Sequence, residues 1–207
     1  MNEIFGESAV LVLIVNCILY LRSFKHYGKA FKIVSIYILA TLLVELIMRV
    51  LARYGYNNLF VSHFYCTSQL LLLSLFYINI LKNKTQIKAI KIYLVLCFIM
   101  LGIQYALIPK MFFKFNLFEI FITSFPIVIY SIFHLYNMLN EKKEFYYLNI
   151  GIMVYTTGST IIFLSGNIIN IYSPKLASDC WTFNSILYLF YQVLLFIEWK
   201  KNYSKIN

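Results

Sequence analysis

The chain of 207 residues is 61% apolar and 19% aromatic, carries only 13% charged residues, and has a formal net charge of +10. A soluble domain has about 25% charged and 45–50% apolar residues, so a water-facing surface is excluded and the surrounding solvent must be largely lipid. The basic excess, 18 Lys and Arg against 8 Asp and Glu, does not mark a nucleic-acid binder: the lysines stand in short clusters between apolar runs, as membrane-anchoring loops do.

Seven apolar segments of spanning length follow in order, at about 4–21, 33–52, 59–81, 90–108, 116–139, 147–169 and 181–199. Each is near the roughly 20 residues that a bilayer requires. The prediction is an all-α, polytopic seven-helix bundle, a single transmembrane domain over residues 1–207. Glu3 and Glu7 precede or open the first run, with no basic residue before it and no small-residue cleavage site. That run is therefore expected to be a spanning helix rather than a removable signal peptide. Orientation follows from the basic residues of alternate loops. Thirteen lie on one side, from Arg22, Lys25, Lys29 and Lys32 through Lys82, Lys84, Lys88, Lys91, Lys142 and Lys143 to Lys200, Lys201 and Lys205. Five lie on the other: Arg49, Arg53, Lys110, Lys114 and Lys175. The asymmetry predicts an N-terminus outside and a C-terminus in the cytoplasm. Trp181 and Trp199 bracket the last segment, where interfacial aromatics belong.

The second and third segments carry side chains that lipid alone does not tolerate. Thr41, Glu45 and Arg49 recur at steps of four and share one stripe of a helix. After the turn Tyr54-Gly55-Tyr56-Asn57-Asn58 come His63, Thr67 and Gln69. An ionisable group in the bilayer costs about 2.5–3.5 kcal/mol or more unless it meets a partner or a wet cavity. Gln104 lies late in the fourth segment, Glu119 early in the fifth, Asn167 late in the sixth and Asn184 early in the seventh. All fall in the predicted outer half, so Glu45, Arg49, His63, Gln69, Gln104, Glu119, Asn167 and Asn184 are expected to line one polar cavity there. Glu119 stands so near the outer interface that its carboxylate is expected to snorkel to water.

In the fifth segment Glu119, Thr123, Pro126, Tyr130, His134 and Asn137 form an inward stripe, and Pro126 is expected to kink the helix. The seventh repeats the pattern with Asn184, Tyr188, Tyr191 and Gln192. In the sixth, Gly151, Gly158 and Ser165 recur every seven residues, a face read as close helix packing.

No metal site or cofactor is expected. Cys17, Cys66, Cys97 and Cys180 form no CxxC pair. His63 and His134 stand too far apart in depth to share an ion. No nucleophile elbow, HExxH or phosphate loop appears, and the last segment lacks the mid-helix lysine of a retinal protein.

Glu45, the run Gly55-Tyr56-Asn57-Asn58-Leu59, His63-Phe64-Tyr65, and later Gly151, Tyr155, Gly158 and Phe163 resemble a group of small seven-helix membrane proteins common in Bacteroidota. That pattern has an acidic residue where this chain has Gln69 and a tryptophan where it has Tyr147. The resemblance implies the architecture, a bacterial inner-membrane location and the site's position; it implies no activity. Seven helices with an outside N-terminus also match a transporter plan of three plus one plus three, which predicts similarity between residues 1–81 and 116–199. No such repeat is visible in the sequence.

The leading expectation is a binding or sensory protein whose outer-half cavity takes a small or lipid-like ligand. It would pass a helix rearrangement to a cytoplasmic or membrane partner, with membrane lipids as its surroundings. The alternatives are an intramembrane lipid hydrolase using Glu45 and His63 as base and acid, which requires them within one water of each other, and a small transporter, which requires a path to the cytoplasmic side.

Overall fold

In the computed structural model the described residues form seven helices that cross the molecule: α1 (Asn2–Ser23), α2 (Lys29–Arg53), α3 (Leu59–Ile80), α4 (Lys84–Leu107), α5 (Leu117–Asn137), α6 (Tyr146–Tyr172) and α7 (Pro174–Asn202). A short 3-10 helix, Pro109–Phe113, joins α4 to α5. The structure describes residues 2–139 and 143–204, apart from the side chains of residues 2, 3, 167, 168, 170–172 and 174. No strand occurs among the described residues, and all seven helices are long and apolar enough to cross a membrane. This is a multi-pass membrane protein.

Three helices begin ahead of their apolar runs. Asn83 caps α4 by accepting from the backbone N–H of Thr85 and Gln86 at 2.9 and 3.4 Å. Ser173 caps α7 with Pro174 in the first turn. Lysines in a first turn cost little in water, so α2, α4 and α7 extend beyond the lipid-facing part that hydropathy detects. The turn after α2 is also legible locally. Gly55 takes φ +73°, its N–H bonds to Ala52 O at 3.1 Å, and the Tyr56 N–H bonds to Leu51 O at 3.0 Å. This pair of bonds around a left-handed glycine closes helix ends. Asn57 then accepts from the Leu59 N–H at 2.9 Å, and Asn58 donates back to Met48 O at 3.2 Å.

The helices form a closed ring in the order α1, α2, α3, α5, α6, α7, with α7 returning to α1. The fourth helix stands outside it, against α3 and α5. Only 17% of its apolar window is buried, against 56% for α5. Successive helices reverse direction, so each triplet α1–α3 and α5–α7 runs as three antiparallel neighbours, and the triplets meet through parallel pairs. The fourth helix thus separates two groups of three in chain order, α1–α3 and α5–α7.

At the end where α1 finishes and α2 begins, Tyr20, Phe31, Phe76, Tyr77, Leu148 and Tyr191 are fully buried and fill the ring. The sixth and seventh helices approach closely at Gly151, where an added Cβ would lie 2.7 Å from Cδ2 of Tyr191, and at Gly158, where it would meet Leu187 at 2.5 Å. Those glycines serve packing, as expected.

The fifth helix continues through Pro126. Proline has no N–H, so the carbonyl of Ile122 loses its intrahelical donor. Tyr93 of α4 donates its hydroxyl to that oxygen at 2.9 Å, and the Cys97 thiol lies 3.7 Å from it. The outlying α4 is thus pinned where α5 has a free acceptor. Tyr93→Phe is expected to lower stability by about 1 kcal/mol, and by less in a Pro126→Ala background, where residue 126 supplies the missing donor. A double-mutant cycle on thermal unfolding checks this; equal losses in both backgrounds would disprove the link.

Candidate functional site

At the opposite end the ring opens into a cavity of about 570 Å³. Its wall comes from α2 (Thr41, Val44, Glu45, Met48, Arg49), α3 (Leu59, Ser62, Tyr65, Cys66, Gln69), α5 (Ile120, Ser124), α6 (Tyr155, Ser159, Phe163, Gly166) and α7 (Trp181, Asn184, Ser185, Tyr188), with Gly6 and Phe115 at the edge. The lining positions on α3, 62, 66 and 69, are one helical face, as are 120 and 124 on α5. The inner part is tyrosine-rich. Tyr155 stacks on Tyr191 with ring centres 5.4 Å apart and tilts against Tyr188 at 5.3 Å.

Charge enters at the rim. Arg49 donates through Nε to Glu45 Oε1 at 2.8 Å, the i,i+4 pair read from the spacing, and through Nη1 to Glu7 of α1. One guanidinium thus serves two carboxylates. Glu7 is 65% exposed, whereas Glu45 is half-buried and lies within electrostatic reach of Tyr155 and Tyr188.

The remaining predicted residues form a second, separate group. His63 is 4% exposed and Glu119 1%, and the His63 Nδ1 meets Glu119 Oε2 directly. The other ring nitrogen, Nε2, lies 2.9 Å from the Phe112 carbonyl; a carbonyl only accepts, so Nε2 carries the proton. Tyr105 donates its hydroxyl to Glu119 Oε2 at 2.7 Å and lies 2.9 Å from Nδ1. Asn116 donates to the Tyr105 hydroxyl at 3.1 Å, exchanges bonds with Gln104 at 3.0 and 3.3 Å, and accepts from the Glu119 N–H at 3.2 Å. The cluster ties α3, α4, the 3-10 helix and α5 together without facing the cavity.

One hollow lined by all eight predicted residues is therefore corrected. Glu45, Arg49, Gln69 and Asn184 line the cavity; His63, Gln104 and Glu119 lie in the neighbouring cluster; the Asn167 side chain lies outside the described residues. Glu119 does not snorkel to water: it is buried, with Oε2 held by His63 and Tyr105 inside the protein. Nor do Glu45 and His63 share a site: Glu45 is held by Arg49, while both nitrogens of His63 are engaged elsewhere. The polar stripe of α5 does turn inward, with Glu119, Thr123, Tyr130 and His134 buried, against neighbouring helices rather than the hollow.

Sequence reasoning singled out Gln192 but missed the rest of a third polar group, at the closed end. Asn16 donates to Gln192 O and Oε1 at 2.8 and 3.1 Å. Tyr77 donates to Asn149, which donates to Ser131 O. Glu198 caps the start of α6. The signal was present, since each is a polar residue inside an apolar run, like those singled out in the other half. Among the described residues no group of three or more His, Cys, Asp or Glu side chains could hold a metal ion.

Fold and site together define a helical multi-pass membrane protein with a cavity inside a six-helix ring. No protein-family model, curated protein or solved structure matches the chain.

Proposed function

We propose that the protein is a ligand-binding, sensory component of a bacterial inner membrane. Its cavity opens toward the outer face, takes a small or lipid-like molecule, and passes a helix rearrangement to a partner. The observation that carries this reading is the cavity itself, apolar and aromatic inside with an ion-pair rim at one end, the composition that suits an amphiphile. Its volume falls within the roughly 300–1,000 Å³ of ligand sites. Binding is favoured over passage because the buried aromatic core fills the ring at the other end.

The experiment is extraction and mass spectrometry of small molecules co-purifying with the protein in mild detergent. Wild type is expected to carry a species that Ser159→Phe, which projects a ring into the cavity, loses. Equal recovery from both would overturn the reading. The proposed sidedness rests on the basic-loop asymmetry. A fluorescent protein at the C-terminus is expected to fluoresce and alkaline phosphatase there to stay inactive; the reverse would invert the orientation.

A further inference from the structure

The hydrogen-bonding groups of the cavity are unbalanced, and the imbalance identifies a ligand class. Arg49 is the only cation among the described lining residues, and it is shared between Glu45 and Glu7. With one positive and two negative groups the rim keeps a net charge of −1, and Glu45 has a second oxygen beyond the one that Arg49 holds. That oxygen asks for a donor that carries positive charge. The remaining wall is rich in aromatic side chains, Phe115, Phe163 and Trp181 among them, and aromatic rings attract cations rather than anions.

Resting on the binding reading above, we infer that the cavity takes an amphiphile with a primary ammonium head. The head sits between Glu45 and the aromatic rings, and the chain lies along Tyr65, Tyr155 and Tyr188. An ammonium has three N–H donors and no acceptor, which complements this site. A carboxylate or sulfate head would meet the net negative rim. A quaternary ammonium would gain the charge and aromatic contacts but donate nothing to the free oxygen of Glu45.

The test compares dodecylamine, dodecyltrimethylammonium and dodecanoate on the full chain in a non-ionic detergent at pH 7, read as the rise in thermal midpoint with concentration. Dodecylamine is expected to bind at least tenfold tighter than dodecanoate and measurably tighter than dodecyltrimethylammonium. Glu45→Gln is expected to weaken it about fivefold or more, and Ser159→Phe to abolish it. If all three probes bind alike and Ser159→Phe still removes them, the ammonium inference falls and the binding reading stands. If no probe responds to Ser159→Phe, both fall. Repeating the amine titration in nanodiscs of phosphatidylethanolamine and of phosphatidylcholine separates the two sources of the head group. Competition only from phosphatidylethanolamine assigns a lipid head group, and none from either assigns a free amine.

Discussion

His63→Ala is expected to destabilise the protein by about 3–5 kcal/mol, the usual cost of breaking a buried ion-pair contact from one side. Glu119 would keep the Tyr105 hydroxyl but lose the ring that shares its proton, and its other oxygen, Oε1, already has no hydrogen-bond partner. Removing both partners is a different experiment: His63→Leu with Glu119→Leu replaces the pair by apolar groups that lipid and neighbouring helices accept. The double variant is therefore expected to recover much of the loss, giving a large coupling energy. The chain carries its own probe for the measurement. Cys17, Cys66 and Cys97 are buried free thiols, and Cys180 is half-buried. In a Cys180→Ser background, a thiol-reactive dye reports thermal unfolding. A single-variant loss below about 1 kcal/mol would show that the pair contributes no more than an exposed one does.

The helices were readable because a bilayer demands length and apolarity together, and seven runs supply both. Their order around the ring was not. Lipid accepts apolar side chains as readily as a protein interior does, so the exposed apolar face of α4, with Ile92, Val95, Ile99 and Ile103 at or above half exposure, looks in sequence like the buried face of α5. A soluble bundle would have marked its outer surface with charge.

The site was legible in one coordinate and hidden in another. Position along a helix gives depth, and depth correctly grouped Glu45, His63, Gln69 and Glu119 toward one end. It says nothing about rotation around the axis. On α3, Ser62, Cys66 and Gln69 face the cavity, while His63, one residue or about 100° away from Ser62, faces α4 and α5. The same offset separates Ile120 and Ser124 from Glu119 and Thr123 on α5. Partners far apart in sequence were equally hidden: Glu7 joins Arg49 across 42 positions and Glu119 joins His63 across 56, whereas the i,i+4 pair of Glu45 and Arg49 could be read directly.

The closed end sets the second large effect, at Glu198. The sixth helix begins after Phe145, which has a left-handed φ of 54° and no side chain able to cap. The N–H groups of Tyr147 and Leu148, the positions that a capping serine or asparagine would satisfy, instead find Glu198 Oε2 of α7 at 2.9 and 3.4 Å. Its other oxygen accepts from Asn202 at 2.7 Å. A fully buried carboxylate at a helix N-terminus has two sources of stabilisation: the charge sits at the positive end of the dipole, and it satisfies donors that burial would otherwise orphan. Glu198→Ala removes both and is expected to cost about 2–4 kcal/mol. Glu198→Gln keeps an acceptor of the same shape and is expected to cost about 1 kcal/mol through the lost charge. Asn202→Ala, which deletes only one bond to the carboxylate, should fall below both. The same thiol-accessibility melts rank the three variants, and hydrogen exchange at Tyr147 and Leu148 should rise in the alanine variant before the rest of α6 opens. If Glu198→Gln melts with Glu198→Ala, a neutral acceptor of the same shape contributes nothing and the charge alone carries the effect; if it melts with wild type, the charge is irrelevant.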